Sequence, residues 1–329
     1  MDIHPYNGRM NAMHTNKWNM SNKKTELLLL RVTTAVCLAF GIVSVVASFQ
    51  AHSNSMLFDG LYSLIQSMFI LGSGWIVSLL FRKEDREFQF GYGAFEPFFI
   101  AIRSTVMLLM TFSIAASALR AILTGGYTID VSIAFKINIL SLVICLIVYG
   151  VLVVQAKRLK SPMLRVEARS WLIDSAISFA AVLAMILIFY ANKKGYTKLA
   201  RYIDPIVTIF FIVGLAPMLV KQLLQSSREL LGAAPSSSIQ KDLEHIAKRH
   251  VKREGFRKSS IFAIQHGRSL SVTLYFYLKE ERSLLELDAL RTNILVDLRT
   301  YSSWLEADVV FTLNPSWVPL AMPLAVASV

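Results

Sequence analysis

Six apolar runs, each long enough to cross a lipid bilayer, dominate the first two thirds of the chain, at approximately residues 25 to 50, 55 to 81, 96 to 123, 132 to 156, 168 to 191 and 202 to 226. About 20 residues of helix span the hydrocarbon. Because nothing in that medium hydrogen-bonds a bare peptide group, such runs fold as helices that satisfy their own backbones. The composition agrees. Hydrophobic residues make up 54% of the 329 and charged residues only 17%, against roughly 25% charged in an average soluble domain. The chain reads as an integral membrane protein with six spans.

The net charge of +12 would suit a nucleic-acid partner in a soluble chain, but in a membrane protein basic residues gather at the cytoplasmic ends of spans. No nucleic acid is expected. Residues 1 to 24 carry Arg9, Lys17, Lys23 and Lys24 with no apolar signal-peptide core, so they read as a cytoplasmic tail. RKEDRE after the second run and KRLKSPMLR after the fourth fall on the same side, whereas the first outer loop, QAHSNS, has no Lys or Arg. The loop with Lys193, Lys194, Lys198 and Arg201 opposes this pattern, and three basic segments outvote it. Both termini are therefore expected in the cytoplasm, with lipid as the surrounding partner and the inner or plasma membrane as the location. Cys37 and Cys145 lie in separate apolar runs without CxxC spacing and read as packing residues.

From residue 231 the character changes. GAAPSSS has linker composition, and the polar remainder holds short amphipathic segments. SIQKDLEHIAKRHVKREG opens with serines suited to capping and repeats Ile239, Leu243, Ile246, Ala247 and Val251 at helical spacing. SIFAIQHG and SLSVTLYFYL read as strands joined at His266, Gly267 and Arg268, the second alternating through Leu270, Val272, Leu274 and Phe276. A further helix and the strand ADVVFTL complete a small α+β domain over residues 231 to 315, with helices on one face of a sheet. Residues 316 to 329 form a tail with no assigned function.

Two aspartates fall inside the spans, each with a serine four residues away: Asp59 with Ser63, and Ser170 with Asp174. A carboxylate in hydrocarbon costs about 2.5 to 3.5 kcal/mol on insertion scales and is kept where it faces a partner, water or an ion. Residues four apart share a helix face, so each pair presents two oxygens to one side. Two such faces together make a four-oxygen cation cage; the bland reading has serines bonding their own backbones and aspartates paired with arginine or a helix end. Arg103 in the third span needs an acceptor: Glu96, Asp59 and Asp174 are the candidates, with snorkelling or bonds to helix carbonyls as the alternative. None of the six histidines lies in an expected span, and oxygen ligands suit harder cations than imidazole does.

FQFGYGAFEP at residues 88 to 97, ahead of the third span, resembles the loop of the cation diffusion facilitator (cation efflux) family. Asp59 resembles the first acid of that family's second-span motif, Ser170 and Asp174 its fifth-span HxxxD, Asp204-Pro205 its DP, and LLGAAP its exit into a cytoplasmic metallochaperone-like, ferredoxin-like domain. The chain is identified as a divergent member over approximately residues 25 to 315. Ser63 and Ser170 stand where relatives carry a second carboxylate or a histidine, Phe88 and Tyr92 where relatives carry loop histidines, and Tyr275, Asp288, Thr312 and Asn314 near a histidine and carboxylate cluster of zinc-type members.

What the resemblance implies is a six-helix transporter domain over residues 25 to 230, not an enzyme, exporting a divalent cation in exchange for protons. Asp59, Ser63, Ser170 and Asp174 would be the metal site, manganese, iron or zinc the cargo, and a homodimer the assembly. No cofactor is expected. The competing reading is a degenerate scaffold or regulatory protein that keeps the fold without transport. An intramembrane hydrolase has no HExxH or nucleophile with a base to support it.

Overall fold

The computed structural model describes the backbone of residues 6–51, 54–82, 84–126, 131–302, 304–319 and 326–328, and the side chains of these apart from 6–21, 47–51, 54–59, 131–134, 137 and 326–328. The chain divides into two compact units, residues 1–225 and 226–329.

The first unit is all helix: α1 (Tyr6–Ala51), α2 (Asn54–Leu80), α3 (Phe95–Leu123), α4 (Val131–Arg158), α5 (Pro162–Lys193) and α6 (Thr197–Leu230), the last continuing past the unit boundary. Each of the six contains a stretch long and apolar enough to cross a membrane. Burial differs from that of a water-soluble bundle, because polar side chains join the buried apolar core and large apolar ones cover the outside. Trp75, Phe112 and Phe210 are exposed, whereas Ser73, Glu96, Arg103, Ser104 and Glu167 are completely buried. Polar side chains facing inward and aromatics facing outward is the arrangement hydrocarbon imposes.

Helices α1 and α2 cross closely because two glycines meet. A Cβ on Gly60 would lie 2.6 Å from Val45 Cγ2 and 3.0 Å from the Gly41 carbonyl oxygen. Helix α5 starts earlier than its apolar run suggests. Ser161 caps it, accepting from the Leu164 N–H at 3.1 Å, and Pro162 occupies the first turn, where its missing N–H costs nothing. The Ser161 hydroxyl in turn donates to the buried Glu26 of α1. The helix thus takes in Arg165 and Glu167, residues that precede the expected span. Helix α6 likewise begins at Thr197, so Asp204-Pro205 lies inside it and does not open it; Pro217 is also internal. Both cysteines are free and buried: Cys37 donates to the Ser63 carbonyl oxygen, and Cys145 lies 4.0 Å from the Ser141 hydroxyl.

The second unit holds α7 (Ser237–Glu254), β1 (Lys258–His266), β2 (Ser269–Tyr277), α8 (Leu284–Tyr301), β3 (Leu305–Thr312) and β4 (Val326–Ser328) in a sheet of order β3-β2-β1-β4. Strands β1 and β2 form a hairpin in which His266 pairs with Ser269. Gly267, at φ +60°, takes the left-handed conformation that this two-residue loop demands. Strand β3 runs parallel to β2 after the α8 crossover. Leu270, Val272, Leu274 and Phe276 point into one core with Leu243, Ala247 and Val251 of α7 and Ile294 and Leu298 of α8. Ser283 caps α8 by accepting from the Glu286 N–H, but Ser236 makes no such bond at α7. The tail departs from expectation. Its last residues pair antiparallel with Lys258, Ser259 and Ser260, covering the open edge that β1 would otherwise leave.

Candidate cation site within the helical unit

Helices α2 and α5 are joined by a hydrogen bond in which Gln66 Nε2 donates to Asp174 Oδ2 at 2.7 Å. The Tyr62 side chain is a second hydrogen-bond partner of the same carboxylate, and its hydroxyl also approaches Met107 Sδ of α3 at 3.8 Å. Met107, Ile173 and Leu219 form a small apolar cluster beside them, with Tyr62, Ile177 and Leu215 packed on it. Asp174 is therefore a half-buried carboxylate whose hydrogen-bond partners among the described residues are neutral. An amide is a versatile neighbour for an ion, since it offers a donor on one side and an acceptor on the other.

Arg103 has a different partner from the three considered. Its guanidinium forks onto Glu167, with Nη1 on Oε1 and Nη2 on Oε2 at 2.9 Å. Ser73 of α2 donates to Glu167 Oε1 at 2.8 Å and accepts from Nη1 at 3.3 Å, while Nη2 also donates to Ser170 at 3.3 Å. Neither Arg103 nor Glu167 has any exposed surface. This corrects the expectation for Arg103: the buried side chain does not snorkel, and the carboxylate it forks onto is Glu167, which was not among the candidates. A paired guanidinium and carboxylate cancel at short range, which makes burial of both tolerable. One donor is left over. Arg103 Nε is buried without a hydrogen-bond partner among the described residues, and leaving such a group unpaired costs about 1 to 3 kcal/mol.

The four sequence-derived site residues fare differently. Asp174 stands with Gln66 and Tyr62 as above. Ser170 is buried; it donates to the Val166 carbonyl oxygen and accepts from Arg103, so the hydroxyl expected beside a metal touches a guanidinium. Ser63 is buried on α2, three residues before Gln66. Asp59 belongs to α2, but its side chain lies outside the described ones. Sequence reasoning missed Gln66 and Glu167. Gln66 lies seven residues after Asp59, on the same face, and that spacing is a usable signal; Glu167 fell just outside the expected span.

A third buried polar set ties α3, α5 and α6: Gln222 Nε2 donates to Ser104 Oγ at 2.9 Å, and Arg169 Nη1 donates to Gln222 Oε1 at 3.3 Å. In the loop before α3, aromatic rings stand where histidines were considered. Phe88 packs on Tyr92 and Phe95, at centroid distances of 4.8 and 5.3 Å. Asp85 organises the loop by accepting from the Tyr92 hydroxyl and from the N–H groups of Phe88 and Glu87. Those bonds, the Tyr92 one foremost, hold its carboxyl below the usual range.

No group of three or more His, Cys, Asp or Glu residues able to hold a metal occurs among the described residues. In the second unit, Tyr275 stacks edge-on against Phe262, Asp288 pairs with Arg291, and Thr312 bonds Asn314. Residues 30–231 match the family described as the cation efflux transmembrane domain. No curated protein matches the chain.

Proposed function

The chain belongs to the cation efflux family, whose members carry metal cations across membranes, and we propose that it is a secondary transporter exporting a divalent metal cation in exchange for protons. The observation that carries this reading is the Gln66 to Asp174 bond between α2 and α5. It puts an intramembrane carboxylate among neutral groups, while the nearby arginine is spent on Glu167. Asp174 and Asp59 supply charge to the ion, with the Gln66 amide oxygen, the Ser63 hydroxyl and waters completing its shell. Ser170 we place at the edge of the site, as the link between Asp174 and Arg103.

An oxygen set of this kind favours manganese or ferrous iron over zinc, which is better served by imidazole and thiolate. Proton return to the carboxylates resets the site, because two carboxylates sharing a cavity cannot both stay ionised once the metal leaves. Both termini face the cytoplasm in this reading, and a second copy of the chain is its partner. Purified protein in proteoliposomes tests it. Manganese flux driven by a pH gradient should fall at least tenfold in Asp174→Asn and in Asp59→Asn. Equal flux in all three proteins would overturn the reading and favour a scaffold that has lost transport.

A further inference from the structure

A guanidinium is itself a cation, and the atoms around Arg103 are those a hard metal would choose. Four oxygens surround its terminal nitrogens: both carboxylate oxygens of Glu167, Ser73 Oγ and Ser170 Oγ. Glu167 and Ser73 are fully buried and Ser170 is 3% exposed. They come from α2 and α5, whereas the arginine reaches in from α3. The cage adjoins the Asp174 site through Ser170, one helical turn away, and Glu167 lies seven residues, roughly 10 Å, along α5 towards Pro162. The arginine is also incompletely held, since its buried Nε has no acceptor among the described residues.

We propose that Glu167, Ser73 and Ser170 form a second binding site for a divalent cation, in which the Arg103 guanidinium is a tethered stand-in for the metal. The ion takes the oxygens when the side chain withdraws, and the guanidinium returns when the ion passes to Asp174. No proton transfer is required, because arginine keeps its charge throughout. The closed pair is neutral overall and so does not repel an ion at Asp174. Removing Arg103 alone unmasks the carboxylate; removing Glu167 alone leaves a bare positive charge beside the metal. The order of passage rests on the proposed role of Asp174, but the existence of the second site does not.

Equilibrium binding of manganese ion to the purified full chain in nanodiscs reads this out. Arg103→Met and Arg103→Gln should each bind one more manganese ion per chain than the parent, and R103M/E167Q should return to the parental number. An unchanged number in folded, monodisperse Arg103→Met or Arg103→Gln overturns the proposal. Where the single variants do not fold, R103M/E167L decides, because an apolar pair in place of a buried ion pair is generally tolerated. It should keep the ion at Asp174 and lose manganese flux at least tenfold; flux within twofold of the parent overturns the proposal. Asp174→Asn in the Arg103→Met background should retain the gained ion, so failure at Asp174 and failure at Glu167 give different results.

Discussion

Gln66 and Asp174, 108 residues apart in sequence, meet through a 2.7 Å hydrogen bond that ties the second membrane helix to the fifth. Removing a donor from a half-buried carboxylate costs up to about 1 to 3 kcal/mol, and in the proposed ion-bound state the same amide supplies an oxygen. Gln66→Leu is therefore expected to weaken manganese binding about tenfold, since each 1.4 kcal/mol is one decade. Gln66→Glu adds a negative charge and should tighten binding while slowing release. A dissociation constant within twofold of the parent in both variants would remove Gln66 from the site.

Arg103 and Glu167 make a separate prediction about stability. Deleting one member of a fully buried pair strands the other charge, a loss of about 3 to 5 kcal/mol, whereas replacing both with apolar residues is near neutral. Glu167→Gln should thus lower the thermal unfolding midpoint in detergent by more than the double variant R103M/E167L does. A double variant less stable than Glu167→Gln would mean that the pair holds the helices together by attraction, not merely by compensation.

Much of this was legible in order along the chain, and the parts that were not share a cause. Spans show because hydrocarbon demands long apolar runs, and β2 shows because Leu270, Val272, Leu274 and Phe276 alternate against one core. Glu167 was hidden by its own neighbourhood. The charges of KRLKSPMLR resemble a loop, so the fifth span was expected from residue 168, yet Ser161 and Pro162 start α5 six residues sooner. Capping chemistry outweighed hydropathy there. Gln66 was passed over because an uncharged amide in a span draws less notice than an acid. The pairing of β4 with β1 is non-local, and a short apolar tail does not announce which strand edge it will cover.

Gly60 marks a close approach of α1 and α2, and it follows Asp59 in the sequence. A methyl group there would press on the Val45 side chain at 2.6 Å and on the Val45 backbone nitrogen at 2.8 Å. The backbone contact cannot be relieved by a rotamer change, so Gly60→Ala should force the helices apart at a cost of about 1 to 3 kcal/mol. Val45→Ala relieves only the side-chain part and should recover a fraction of the loss. Thermal unfolding of the two single variants and the double variant measures this. An unaltered midpoint in Gly60→Ala would show that α1 can shift without penalty.

His250 gives the second unit a pH dependence whose sign follows from its surroundings. The ring is 1% exposed, on α7; Nε2 lies 3.0 Å from Asp297 Oδ2 of α8, Nδ1 has no hydrogen-bond partner among the described residues, and Arg249 also reaches Asp297 at 3.2 Å. Burial pushes the imidazole below its ordinary value, the pull of Asp297 in the other direction being smaller, and Arg253 and Arg249 push the same way as burial. A depressed value means that the unfolded chain binds the proton more readily. The stabilising contribution is then complete above the ordinary histidine range, near pH 6.5, and is lost as the pH falls through the lower folded value. Hydrogen exchange of the α7 and α8 amides, corrected for intrinsic rates, should show weaker protection at pH 5 than at pH 7.5. His250→Gln should flatten that difference, and equal protection of the parent at both pH values would contradict the assignment.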